Sequence, residues 1–215
     1  MLFDLDGTLA NTIPMCIRAY QQTFEHFLGR PVLDEEITAH FGVSDEGIIQ
    51  RMVPDQAEAG LRMYLENYEK LHADYREPFA EIQTALDLLK DRGVMLGVVT
   101  GKGRQTASLT LQYLGIGHYF DQVEAGNAHA NVKAIAIKKI LATWQMDPHD
   151  AAYVGDADTD MQQAMMAGVL PLAACWAETS TIHRLGSHPP LATFASVRSF
   201  IDWLDTNIST RSQEH

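Results

Sequence analysis

The stretch Met1-Leu2-Phe3-Asp4-Leu5-Asp6-Gly7-Thr8-Leu9 decides how the rest of the chain is read. Apolar residues run straight into two carboxylates one residue apart, then into a glycine and a hydroxyl. Such a run reads as a buried strand ending in a turn. Side chains two apart on an extended strand point the same way, but the chain leaves the strand near Leu5. The Asp4 and Asp6 carboxylates therefore diverge around one small volume. Two carboxylates so close repel each other unless a cation or a shared proton sits between them. Taken alone, the segment reads equally well as a capped turn. The apolar run is short for a central strand, so either native residues precede this numbering or the strand is abbreviated.

The same signature recurs further along. Ala151-Ala152-Tyr153-Val154 is another apolar strand, and it ends at Gly155-Asp156-Ala157-Asp158-Thr159-Asp160. Asp158 or Thr159 would cap the helix predicted over residues 159–167, which explains one acid and leaves two unexplained. A calcium loop of the D-x-D-x-D-G type does not fit, because Met161 stands at its glycine and Ala167 at its terminal glutamate. The strongest apolar run, residues 94–100, ends at Thr100-Gly101-Lys102-Gly103. A hydroxyl beside a glycine N–H can grip a phosphate oxygen, and a simple turn is the plainer reading. A Walker loop is excluded, since Gly97 and Gly101 are wrongly spaced and Lys102 is followed by glycine. Lys133 lies near the start of the helix predicted over residues 132–144. Most lysines are solvated surface residues, and Lys138 and Lys139 in the same helix read as plain surface charge.

Between these motifs the rhythm is helix, strand, helix, strand. Helices are predicted around residues 82–91, 106–114 and 197–204, with a short strand over 120–124 and a last clear strand over 169–176. Alternating units of this size predict an α/β fold with a doubly wound, Rossmann-like parallel sheet. Ligands of such sheets sit beyond the carboxyl ends of the strands, where these polar residues fall. Residues 14–77 differ. Ile17, Tyr20, Phe24, Phe27 and Leu28 recur at helical spacing, as do Ile48, Ile49, Met52 and Val53, then Leu61, Tyr64, Leu65 and Tyr68. Gly29-Arg30-Pro31 and Val53-Pro54-Asp55 read as breaks. The expected division is an α/β core of residues 1–13 and 78–215 with a small all-helical cap, residues 14–77, inserted after the first strand. The polar end of the chain is expected to fray.

Composition excludes several classes. The chain has 215 residues and is 46% hydrophobic, an ordinary globular mix. Its 16 Lys and Arg against 28 Asp and Glu give a net charge of −12 and a pI near 5.0. That balance argues against nucleic acid and against an anionic membrane. An anionic substrate would need a local positive site or a metal. Only Cys16 and Cys175 are present, so no disulfide scaffold or cysteine-ligated zinc is indicated. Without a long apolar run or a basic-apolar-small leader, a cytoplasmic protein is expected.

The order DxDGT, Thr100, Lys133, then GDxxxD, each at or just past a strand end, resembles the haloacid dehalogenase superfamily. The resemblance is with the branch of phosphoglycolate phosphatase and β-phosphoglucomutase. Leu114-Gly115-Ile116, Tyr119-Phe120-Asp121, and Tyr153-Val154-Gly155-Asp156 through Ala164 and Ala167-Gly168 also resemble that branch. Departures are Ala134, Ala157, Ala80 and Asn11, where proline, serine, glycine and an acid or serine are common. None removes a catalytic group, but Ala134 leaves the lysine resting on position more than on motif.

The resemblance implies a phosphatase acting on a small phosphorylated metabolite, phosphoglycolate-like or pyrophosphate-like. It implies Asp4 as nucleophile and Asp6 as general acid and base. Thr100, Gly101 and Lys133 would hold the phosphoryl oxygens. Mg²⁺ would bind Asp4, the Asp6 carbonyl and Asp156, with Asp160 orienting a water or Lys133. The rivals are a phosphomutase using the same aspartates, and a non-catalytic binding protein that keeps the fold. Arg18, His26, His40 and Arg51 are the cap donors that could choose a leaving group, and the sequence does not select among them. A monomer and a dimer are equally compatible with it.

Overall fold

The computed structural model describes residues 1–182 and 188–208. The chain begins with strand β1 (Leu2–Phe3) and leaves the sheet for four helices, α1 (Ile13–Leu28), α2 (Asp34–Thr38), α3 (Asp45–Met52) and α4 (Ala57–His72). It returns through α5 (Ile82–Asp91), β2 (Gly97–Val99), α6 (Arg104–Tyr113), β3 (Gln122–Glu124) and α7 (Lys133–Trp144). It closes with β4 (Ala152–Gly155), α8 (Asp158–Ala167), β5 (Leu170–Ala174), β6 (Ala192–Phe194) and α9 (Val197–Asn207).

The strands form one parallel sheet in the order β3-β2-β1-β4-β5-β6. This is the doubly wound α/β order, in which the chain runs outward from β1 to one edge, then returns to build the other half. The reversal beside β1 leaves a crevice at the carboxyl ends of β1 and β4. Both faces of the sheet are covered, which is why its strands read as continuous apolar runs. Leu2 belongs to an apolar cluster with Ile137 and Leu141 of α7 and Ala164 of α8. Phe3 points the other way, into a cluster with Leu86 and Leu89 of α5 and Phe200 of α9. Its ring meets Phe200 edge-on at 6.2 Å.

The helical segment between β1 and α5 has an apolar cluster of its own. Met15, Ala19, Tyr20 and Phe24 of α1 join Ile48 and Ile49 of α3 and Tyr64 and Tyr68 of α4. The Tyr20 and Tyr64 rings stack at 4.2 Å. Pro14 sits in the first turn of α1, where a missing N–H costs nothing.

Two elements were not foreseen. Strand β6 is an Ala-Thr-Phe edge strand soon after Pro189 and Pro190, too short to display a period of two. Helix α2 is a single turn or so, and three of its five residues are acidic, which hid its one buried residue, Ile37. The strands expected over 94–100 and 169–176 are shorter than predicted, because apolar residues continue past the hydrogen-bonded ladder. The tail expected to fray lies outside the described residues from 209 onward. Among the described residues, no helix is long and apolar enough to cross a membrane.

Candidate active site

The seven residues singled out from the sequence all line one cavity of about 890 Å³ at the carboxyl ends of the strands. Asp4 directly follows β1, Thr100 and Gly101 follow β2, and Asp156 follows β4. Asp160 lies in the first turn of α8, and Lys133 is the first residue of α7. Parallel strands deliver their ends to one edge, so residues far apart in sequence are neighbours here.

Lys133 organises the acidic floor. Its Nζ lies 2.8 Å from Asp4 Oδ2 and 2.6 Å from Asp160 Oδ1. Asp160 also accepts the Ala157 N–H on Oδ2 at 3.2 Å, which fixes the start of α8. Asp156 Oδ1 accepts the Thr8 hydroxyl at 3.2 Å. Gly7, between Asp6 and Thr8, has φ +75°, and a Cβ there would collide with the Asp156 carboxylate. Only glycine lets the turn after β1 pass this close to β4.

Asp4, Asp156 and Asp160 each offer an oxygen within 4.8 Å of the others. Three buried acids face one lysine, an excess of negative charge that burial makes costly. Burial pushes the Asp4 carboxyl up to about 7, against the opposing pull of Lys133 and with the help of Asp160. Burial, with Asp160 and Asp4 adding to it, raises Asp156 well above the usual carboxylate range. Among the described residues, Asp4 Oδ1 is buried without a hydrogen-bond partner. An orphaned hard oxygen among crowded carboxylates fits a divalent cation, and a small oxygen-seeking ion best.

Asp6 is held separately. It accepts the Thr12 hydroxyl, and Lys102 Nζ lies 3.2 Å from its carboxylate. Lys102 is buried, 3.1 Å from Cys16 Sγ and 4.5 Å above the Tyr68 ring. Its backbone N–H donates to Thr100 Oγ1 at 3.2 Å. Sequence reasoning weighed Lys102 only as a Walker lysine and missed this pairing, because its partner Asp6 is ninety-six residues away. Asp45 was missed as well. An acid after Ser44 at a helix start reads as ordinary first-turn charge, yet Asp45 is buried and lines the cavity. Of the four helical-segment donors, Arg51 lines the cavity and donates to the His129 carbonyl at 3.4 Å. Arg18 and His26 are exposed and His40 half-buried, and none of these three lines it.

A doubly wound sheet with a helical insertion after β1, and acids and a lysine at its strand ends, defines a class of hydrolases. Residues 1–174 match the family model described as haloacid dehalogenase-like hydrolase, and the chain belongs to that family. It is 31% identical over 182 residues to a pyrophosphatase PpaX of Bacillus pumilus, covering 82% of each chain. It is 25% identical over 211 residues to a phosphoglycolate phosphatase of Aquifex aeolicus, covering 97% of each. Among solved structures, a haloacid dehalogenase-like hydrolase from Streptococcus pneumoniae superposes with a TM-score of 0.72 at 25% identity, covering 94% of this chain and 96% of that one. This chain is therefore a hydrolase of the phosphatase-containing part of the family.

Proposed function

We propose that this chain is a Mg²⁺-dependent phosphatase that cleaves a small phosphorylated metabolite through an aspartyl-phosphate intermediate, in the manner of a phosphoglycolate phosphatase. The observation that carries the reading is Asp4, whose Oδ1 is buried and, among the described residues, unpartnered beside Lys133 and two further acids. In this reading residues 1–13 and 78–215 are the catalytic core, and residues 14–77 are a cap that closes over it.

One oxygen of the Asp4 carboxylate attacks phosphorus while the bond to the leaving oxygen breaks, and Asp6 donates the proton that the leaving alkoxide takes up. Water then attacks the phosphorylated Asp4, its proton passing to Asp6, and inorganic phosphate leaves. Lys133, the Thr100 hydroxyl and the Gly101 N–H hold the equatorial phosphoryl oxygens as charge spreads over them. Asp4, the Asp6 carbonyl and Asp156 would hold Mg²⁺, which when bound offsets the negative charge of the phosphoryl group. Asp160 orients Lys133 through their 2.6 Å ion pair. A phosphomutase must seat a bisphosphate in two orientations and needs a second anion site. The helical wall of the cavity carries Asp34 and Asp45 against one cation, Arg51, which favours hydrolysis.

The test is phosphate release from a panel of phosphorylated metabolites, with Mg²⁺ and with EDTA. Metal-dependent release is expected, and Asp4→Asn should lower it more than about a thousandfold without changing the fold. Residual activity above about a tenth of wild type would remove Asp4 as nucleophile.

A further inference from the structure

Asp45 stands at the first position of α3, buried, with its two oxygens facing different parts of the molecule. Among the described residues, Oδ1 accepts from Tyr20 Oη at 2.6 Å and Tyr64 Oη at 3.0 Å, both in the helical segment. Oδ2 accepts from the Gly103 N–H at 2.9 Å and from the Thr106 hydroxyl, both in the α/β core. One carboxylate thus spans the two parts, an oxygen to each. A Cβ on Gly103 would lie 2.9 Å from Asp45 Oδ2, so glycine allows the approach.

Gly103 ends the loop that begins with Thr100. Lys102, between them, pairs with Asp6 and packs on Tyr68 of α4. Thr106 Oγ1 also lies 3.1 Å from the Gly103 carbonyl, within reach of sharing its proton, which keeps the loop close to the start of α6. The Ser44 N–H adds a backbone bond to the Asn127 carbonyl at 2.9 Å, so α3 is seated on the core at two adjacent residues. Were the helical segment to move away, either Oδ2 would lose its donors or Gly103 would move with Asp45. Hydrogen bonds to a buried carboxylate are the strong kind, and leaving them unmade is costly.

We propose that Asp45 is a positioning residue: its carboxylate couples the seating of the cap to the shape of the loop, residues 100–103, that grips phosphate and holds Lys102 against Asp6. This rests on the reading of Thr100 and Gly101 as phosphate-binding. Asp45 touches no reacting atom, and it acts through Gly103. The loop is in its binding shape only while the cap is seated, so an open enzyme grips phosphate weakly.

Two readouts test this, hydrogen exchange of peptides covering residues 100–106 and binding of inorganic phosphate with Mg²⁺ by calorimetry. Asp45→Asn keeps the shape but loses one acceptor oxygen and the charge, and Thr106→Val removes a donor on the core side alone. Each should speed exchange of the loop about tenfold and weaken phosphate about fivefold. The double variant should add little to either single one, since both break the same contact. Thr106→Ser, which keeps the hydroxyl, should restore both readouts. Wild-type exchange of residues 100–106 in both single variants overturns the proposal, as does fully additive loss in the double. If Asp45→Asn does not fold, Thr106→Val with its serine rescue decides the matter alone. Loop loosening in a protein that hydrolyses no phosphate ester supports the coupling and counts against the phosphatase reading, so the two fail separately.

Discussion

At the scale of single residues, the site is a problem in buried charge. Lys133 is surrounded by acids, and burial works against its ammonium while Asp160 and Asp4 together outweigh that and raise it. Removing it leaves Asp4 and Asp160 without their cation. Lys133→Ala should therefore cost about 3–5 kcal/mol of stability in urea titrations, as removing one partner of a buried ion pair does. Lys138→Ala, on the exposed face of the same helix, should stay within about 0.5 kcal/mol. Equal losses for the two lysines would mean that Lys133 does not carry the floor. Asp4 makes a second, pH-dependent prediction. Its carboxyl is raised to about 7 by burial, so below that pH it is protonated and must lose the proton before it can bind a cation. Mg²⁺ should bind more weakly at pH 6 than at pH 8 and release a proton at the lower pH. Calorimetry in buffers of different ionisation enthalpy reads that proton directly, and pH-independent affinity would contradict the assignment.

Elements behave as their ends dictate. Helix α9 begins at Ser196, whose Oγ accepts the Ser199 N–H at 3.2 Å, and its inner face buries Val197, Phe200, Ile201 and Leu204. That face reads from sequence because four apolar residues recur at helical spacing. Ser196→Ala should destabilise the protein by about 1 kcal/mol in denaturant titrations, with an unchanged slope. No measurable loss would place the helix start elsewhere. Helix α8 works differently. Its cap is Asp160 Oδ2 on the Ala157 N–H, and the same side chain orients Lys133. The run Asp156-Ala157-Asp158-Thr159-Asp160 showed too many acids for a cap, which made it legible as a site. The expectation that Asp158 or Thr159 caps this helix is overturned: the turn after β4 starts the helix at Asp158 itself, so Asp160 reaches back to the Ala157 N–H.

Across the whole molecule, the contact between helical segment and core is polar as well as apolar. Tyr68 Oη lies 2.5 Å and His72 Nε2 3.1 Å from Thr110 Oγ1 of α6. His72 is fully buried, and burial lowers its pKa below the ordinary 6.5. A histidine depressed in the fold takes up its proton more readily when unfolded. Its contribution is complete above the unfolded pKa and is lost as pH falls from there through the lower folded value. Wild type should therefore lose stability relative to His72→Gln as pH drops from 8 to 5.5, measured by thermal melts. A constant gap between the two over that range would show that His72 does not titrate differently on unfolding.

The seven residues that line one cavity are singled out through the family resemblance that their order carries, whereas the alternation that builds a doubly wound sheet and the helical character of residues 14–77 stand in the sequence without it. These are written in residue type and near-neighbour spacing: apolar runs that stop at acids, glycines at turns, apolar stripes at helical period. The choice of Lys133 over Lys138 is upheld by its ion pairs to Asp4 and Asp160, but it takes the folded chain to reveal that Lys102 belongs to Asp6 and that Asp45 ties the helical segment to Gly103. The folded chain also added β6, an edge strand too short to leave a pattern. Each of these depends on a partner brought near by the order of strands in the sheet, and a partner distant along the chain leaves no trace in local spacing.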